Sequence, residues 1–338
     1  MNEMTAIKTT IKDWETDQEV RWCPGCGDYA ILKAVQRTLP EIGADPSKTV
    51  FVSGIGCSSR FPYYVESYGF HTIHGRAPAF ATGIKLANPE LDVWLVTGDG
   101  DGMSIGGNHT MHVIRRNVNT QILLFNNEIY GLTKGQYSPT SREGTPSPTT
   151  PLGSVDHPAS PCAFALGSGG RFIARAYDVS KDLTTVLKAA HAHQGAAFVE
   201  IFQNCIVYNK DRFDDFTAKP VADATQLWVK HGEPMLYAKG TKGIALDVAA
   251  LRLKVVDVVD GDWQAAGVLV HDQTNRAIAH MLVEMPFGAY PMALGVIYDD
   301  PRPTYESALL SQDAKARAGR TPDLAALLAK GQTWTVEG

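Results

Sequence analysis

Leu91 to His109 reads LDVWLVTGDGDGMSIGGNH. Leu91 to Thr97 is a short, almost wholly apolar run, stopped by Gly98-Asp99-Gly100, and a helical pattern follows through Asn108 to Arg116. An apolar run of this length reads as a strand buried on both faces, and glycines at its end let the chain turn sharply into a helix. The same unit recurs on either side. Lys48 to Ser53 ends in Gly54-Ile55-Gly56-Cys57, and Gln121 to Phe125 ends in Asn126-Asn127. Helical periodicity runs from Asp28 to about Leu39 and over Pro78 to Ala87, and Arg171 to Ala176, Lys181 to His193 and Ala196 to Phe202 continue the alternation. Strands separated by helices predict an α/β chain with a doubly wound, mostly parallel sheet. Such sheets bind ligands beyond the carboxyl ends of their strands, where Gly56-Cys57, Gly98-Asp99-Gly100 and Asn126-Asn127 all fall.

The 338 residues exceed the size of one ordinary compact core. A net charge of −5 gives no reason to bind nucleic acid or an anionic membrane surface. No apolar run is long enough for a membrane helix, and the N-terminal stretch lacks the pattern of a signal peptide, so a cytoplasmic protein is expected. Ser138 to Pro161 carries six prolines and little periodicity. A segment of that kind is a functional lid, a partner-binding stretch, disorder or a plain surface excursion. The character changes after about Lys219, which divides the expected organisation into residues 1–218 and a C-terminal extension, residues 219–338, for packing or partner contact. Within the extension, strands are expected at Ala265 to His271 and Met292 to Tyr298, with helices from Asn275 to Glu284 and near Pro322 to Leu328.

Asp99 and Asn127 stand 28 positions apart at the ends of two consecutive strands, where they can give two oxygens to one Mg²⁺ whose other positions take phosphate oxygens. The intervening glycines and the next helix's N-terminus suit a diphosphate, although Gly-Asp-Gly is also an ordinary turn. Five cysteines do not make a disulfide framework. Cys23-Pro-Gly-Cys26 with the isolated Cys57 and Cys205 fits an iron–sulfur cluster, a zinc site or unrelated buried thiols, and the CxxC alone also fits a redox motif. Cys162, in the Pro-rich segment, reads as a plain thiol. His109 and His112 lie one helical turn apart without a third ligand, and His191 and His193 read as a solvated helix end.

Five motifs in order carry a resemblance: WCPGCGD (Trp22 to Asp28), SGIGCSSR (Ser53 to Arg60), HTIHGRAPAFATGIKLANP (His71 to Pro89), TGDGDGMSIGGNH (Thr97 to His109) and FNNEIYGLTKGQYSPT (Phe125 to Thr140). Together they resemble the β subunits of 2-oxoacid:ferredoxin oxidoreductases, most closely the 2-oxoglutarate synthase members, over about Val20 to Phe216. The resemblance implies a thiamine diphosphate (ThDP)-binding fold of the diphosphate-domain type. It makes Cys23, Cys26, Cys57 and Cys205 the ligands of a [4Fe–4S] cluster, and Asp99, Asn127 and the carbonyl of Ile129 those of Mg²⁺. ThDP would be lined by Ile55, Gly56, Cys57, Ser58, His74, Gly100, Asp101, Gly131 and Leu132. Arg60 matches a basic position that meets a substrate carboxylate, a task a guanidinium performs without losing its charge. Read without the family, Arg60 is a surface residue after a turn.

The implied reaction is the coenzyme A-dependent oxidative decarboxylation of 2-oxoglutarate to succinyl-CoA and CO₂, with electrons passed through the cluster to ferredoxin, or its reverse. No second copy of the pattern supplies the glutamate that the ThDP aminopyrimidine needs. An α subunit carrying a pyrimidine-binding domain is therefore implied, in an αβ or (αβ)₂ complex. The alternatives are the same chemistry on pyruvate or branched-chain 2-oxoacids, a cluster-free ThDP decarboxylase or synthase, and a non-catalytic zinc-binding module.

Overall fold

The computed structural model describes residues 8–319 and 321–338; the first seven residues of the stretch read for a leader lie outside the described residues. The strands in chain order are β1 (Thr49–Ser53), β2 (Tyr68–His71), β3 (Asp92–Gly98), β4 (Thr120–Asn126), β5 (Ile129–Tyr130), β6 (Gln136–Tyr137), β7 (Phe172–Tyr177), β8 (Ala196–Phe202), β9 (Gln226–Val229), β10 (Leu236–Tyr237), β11 (Lys242–Asp247), β12 (Arg252–Asp257) and β13 (Met292–Asp299). Eight of them form one sheet in the order β2-β1-β3-β4-β8-β7-β13-β9. The run from β2 to β7 is parallel, and β13 turns antiparallel against β7 and carries β9 parallel to itself. Each parallel step is bridged by a helix: α1 (Asp28–Glu41) precedes β1, α2 (Ala77–Ala87) and α3 (Gly107–Arg115) flank β3, α4 (Pro161–Gly167) precedes β7, and α5 (Leu183–Ala192) joins β7 to β8. The fold is the expected α/β arrangement.

The central strands β4 and β8 are buried along their whole length. Their side chains feed two apolar layers: Ile122, Leu124 and Phe198 face one side, and Leu123, Phe125, Val199 and Ile201 the other. Period-two alternation within a strand buried on both faces produces this division. Among these apolar residues lies a buried ion pair, with Arg175 Nε on β7 2.8 Å from Glu200 Oε2 on β8. Glu200 also accepts from Asn126 Nδ2 at 2.8 Å and from the Cys162 thiol at 3.2 Å. Cys162, on α4, is thus a buried thiol behind the sheet.

Beyond residue 218 the chain is woven into the same sheet, because β9 and β13 extend it past β7. β10, β11 and β12 form a separate antiparallel sheet. Ala265 to His271 is not a strand: Gly267 turns at φ +70°, and only Val268 and Val270 make isolated bridges. His193 is 2% exposed, not solvated, and its Nδ1 lies 2.7 Å from Asp299 Oδ1 on β13. His191 stacks on Trp94 and contacts Asp92.

Replacing Arg175 by Met leaves Glu200 as an uncompensated buried charge. We expect a loss of about 3–5 kcal/mol in a urea unfolding titration; a loss below about 1 kcal/mol would show that the pair does not anchor β7 to β8.

Candidate active site

At the carboxyl ends of β1, β3 and β4 the chain encloses a cleft of about 550 Å³. Ile55, Gly56, Cys57, Ser58, His74, Asp99, Gly100, Asp101, Asn127, Ile129, Gly131 and Leu132 all line it. The sheet brings them together because β1, β3 and β4 are adjacent and parallel, so their C-terminal turns open on one edge.

Asp99 sits at the floor, 2% exposed. Its Oδ2 accepts from Ser138 Oγ at 2.5 Å and Thr140 Oγ1 at 2.6 Å. These neutral donors do not offset burial, which pushes the carboxyl up to about 6. A buried carboxylate supplied with neutral donors alone, two hydroxyls and the Gly100 backbone, suits a cation. Asn127 Oδ1 accepts from Ile129 N at 3.2 Å across Glu128, whose φ of 54° makes the tight turn that sets Asn127 and Ile129 side by side. Glu128 is held by Arg212 at 2.5 Å and Arg142 at 3.4 Å, so the turn is clamped by two guanidinium groups from distant loops.

Asp101 lines the cleft but spends its carboxylate within the protein. Oδ1 accepts from Ile55 N at 3.1 Å and Gly75 N at 2.7 Å and lies 2.7 Å from His74 Nδ1, while Oδ2 accepts from Thr97 Oγ1 at 2.7 Å. One side chain therefore ties together the turns after β1, β2 and β3. Gly54 must lack a side chain here, since a Cβ would collide with that carboxylate. Helix geometry is loosened at the same point: Asp101–Ile105 form a π-helical turn before α3, a feature frequent at functional sites.

A second cavity of about 710 Å³ opens beside the first and is lined by Cys23, Cys26, Cys57, Cys205 and Arg60. The two share Cys57, Asn127, Gly131, Leu132 and Gln203. The point a Gly131 Cβ would occupy is 3.5 Å from Cys205 Sγ and 3.7 Å from Cys57 Sγ. Burial pushes the Cys57 thiol up to about 12 and the Cys26 thiol higher still. Among the described residues, no three His, Cys, Asp or Glu side chains close around a point that would hold a single metal ion. Four thiols around one cavity match in number the donor set of a [4Fe–4S] cluster. Trp22 holds the Cys57 turn by donating from Nε1 to the Cys57 carbonyl at 2.7 Å, and Arg60 Nε donates to the Tyr64 hydroxyl at 3.0 Å. Asp28 is 1% exposed against the Cys26 thiol, and burial pushes it up to about 7.

Sequence reading missed Ser138 and Thr140, because the Pro-rich segment gave no sign that its first residues turn inward. Asp28 shows in sequence as a helix start and the end of the WCPGCGD motif, and nothing around Gln203 marks it. His109 meets Arg76 rather than a metal.

Residues 54–201 match the thiamine pyrophosphate enzyme, C-terminal TPP binding domain family. A 2-oxoglutarate oxidoreductase subunit KorB from Mycobacterium tuberculosis is 48% identical over 96% of this chain and 88% of its own. A 2-oxoacid:ferredoxin oxidoreductase 1 subunit beta from Aeropyrum pernix is 47% identical over 62% of this chain and 65% of its own. The chain belongs to the β subunits of the 2-oxoacid:ferredoxin oxidoreductase family. A solved structure, 2-oxoglutarate:ferredoxin oxidoreductase from Magnetococcus marinus with 2-oxoglutarate, coenzyme A and succinyl-CoA bound, superposes with a TM-score of 0.78 at 34% identity, covering 97% of each chain. Among the described residues no helix is long and apolar enough to cross a membrane.

Gly54→Ala displaces the Asp101 carboxylate and with it the turns it joins. Calorimetric titration with ThDP and Mg²⁺ is expected to show at least about tenfold weaker binding, the scale of one charge-assisted hydrogen bond; unchanged affinity would remove Asp101 from the cofactor cleft's support.

Proposed function

We propose that this chain is the ThDP- and cluster-bearing subunit of a 2-oxoglutarate:ferredoxin oxidoreductase. In this reading 2-oxoglutarate, coenzyme A and oxidised ferredoxin give succinyl-CoA, CO₂ and reduced ferredoxin. The observation that carries it is the wall shared by the cleft and the cysteine cavity, with Cys57 in both. When bound, ThDP supplies the carbanion and electron sink for decarboxylation, and the cluster supplies a one-electron acceptor.

The protein's own groups divide the remaining work. Asp99, Asn127 and the Ile129 carbonyl would hold Mg²⁺ and through it the diphosphate. The turn Ile55 to Ser58, with His74, Gly100, Gly131 and Leu132, walls the cleft, so that ThDP would enter a site already shaped by Asp101. Cys23, Cys26, Cys57 and Cys205 would hold the [4Fe–4S] cluster. Cys57 standing at both cavities keeps the path for electrons short. Arg60 lines the cysteine cavity and offers a fixed cation to a substrate carboxylate.

The division at residue 218 fits this reading, since every residue assigned to a cofactor precedes it, while the later chain extends and packs the sheet. Tyr68, Phe70, Ile73, Phe80 and Ile105 are exposed on β2, the turn after it and the helices beside the cleft. An exposed group of large apolar side chains marks a partner surface, and an α subunit completing the ThDP site, in an (αβ)₂ complex, is the partner we assign to it. Thiolates meant for a cluster also favour a reducing compartment such as the cytoplasm.

In the anaerobically purified complex with the co-expressed partner, Cys205→Ser should lose or convert the cluster, whereas Cys162→Ser should leave iron and acid-labile sulfide at wild-type levels. Full iron in both variants would demand another fourth ligand. Arg60→Ala should lower kcat/KM for 2-oxoglutarate by about 10²-fold with ThDP and iron contents unchanged, as expected for a lost charge-assisted pair of about 2–3 kcal/mol. Unchanged kinetics would move carboxylate recognition to the partner chain. Side-by-side assays with pyruvate and branched-chain 2-oxoacids test the substrate, and a preference for any of them would overturn 2-oxoglutarate.

A further inference from the structure

Gln203 follows the last residue of β8 and is 1% exposed. Its backbone N donates to Asn126 O at 2.9 Å, which carries the β4–β8 register one step past the strand. The side chain is thereby set between the two cavities, and it lines both. Its Nε2 lies 3.2 Å from Cys26 Sγ and 2.8 Å from Asn204 O. Its Oε1 accepts from Asn127 Nδ2 at 2.8 Å. The partners fix the orientation of both amides: Asn127 Oδ1 takes Ile129 N, so Asn127 Nδ2 must face an acceptor, and Gln203 Nε2 is left for the thiol.

We propose that Gln203 is a positioning residue that couples the two centres, donating to the Cys26 sulfur while holding the Asn127 amide in its metal-facing orientation. This rests on the cluster and Mg²⁺ assignments above and adds to them a residue that ligates neither. Reduction of a cluster adds negative charge that spreads onto its thiolates, so an N–H donor at sulfur favours the reduced form and raises the potential. Loss of that donor shifts the potential downward. Loss of the Oε1 acceptor leaves Asn127 Nδ2 without its partner in a partly buried site, and the amide turns toward whatever acceptor remains, which weakens its oxygen as a ligand. Asn209 holds the Asn127 backbone instead, its Nδ2 donating to the Asn127 carbonyl at 2.8 Å.

The test uses the αβ complex with its cluster, and measures the midpoint potential by spectroscopically monitored redox titration together with the Mg²⁺ concentration that half-saturates ThDP binding. Gln203→Met fills similar space and offers neither bond. With wild-type iron content, its reduced-to-oxidised ratio at a fixed potential should fall about tenfold, equal to 59 mV for one electron, and the Mg²⁺ requirement should rise about tenfold. Gln203→Glu keeps the acceptor and loses the donor, so its potential should fall while its Mg²⁺ requirement stays within about twofold of wild type. If Met at 203 prevents cluster assembly, the Mg²⁺ requirement of Gln203→Met and the potential of Gln203→Glu are read separately, and an unchanged value of either overturns the coupling. Unchanged values, or a change confined to one centre in Gln203→Met, would overturn the coupling. A wild-type complex without iron would instead overturn the cluster reading, and the coupling with it.

Discussion

Burial of acidic groups, a carboxyl and several thiols, without a matching cation is the constraint around which this site is built. Asp99 lies at the end of β3 with only hydroxyl donors on one oxygen, and the Cys26 and Cys57 thiols are held up by burial a few residues away in space. Charge of one sign gathered in a low-dielectric pocket is costly unless a cation joins it or protons neutralise it. The nearby guanidinium groups of Arg142 and Arg212 are engaged by Glu128 and Asp215. Arg60 lines the cysteine cavity, but among the described residues no salt bridge reaches Asp99, and a divalent cation there with iron at the thiols would add the missing positive charge.

The sheet makes this concentration possible. Only parallel neighbours end on the same edge, and β1, β3, β4 and β8 do so in an unbroken row. The antiparallel strand β13 joins only beyond β7, away from the site, where Arg175 and Glu200 secure the interior instead. From Glu200 a line of hydrogen bonds runs back through Asn126 and Thr140 to Asp99. The cofactor edge and the buried core are therefore one polar network threaded through an apolar sheet, in which each member's second partner fixes its orientation.

How much of this was legible follows from what each residue contributes locally. β1, β3, β4 and β8 are continuous apolar runs, and Gly-Asp-Gly and Asn-Asn interrupt them with turn chemistry, so strands and ligand edge could both be read from the chain. β2 could not, because Tyr68 to His71 is an exposed edge strand with no apolar run to announce it. β9 is short and half-buried, and its place depends on β13, more than sixty residues later. Ser138, Thr140 and Gln203 act through tertiary hydrogen bonds that leave no periodicity in sequence. The same holds for the C-terminal part of the chain, whose contribution to the main sheet is a matter of long-range pairing and not of composition.

In the function proposed above, one edge of one sheet carries a ThDP–Mg²⁺ site and a four-thiolate cluster side by side. The most direct measurement is the cofactor stoichiometry of the complex purified anaerobically with its co-expressed partner, by iron, acid-labile sulfide, zinc and ThDP determination on the same sample. Four iron and four sulfide are expected for each ThDP, as a [4Fe–4S] cluster on four cysteines requires, and no zinc. Stoichiometric ThDP without iron, or zinc in place of iron and sulfide, would contradict that function.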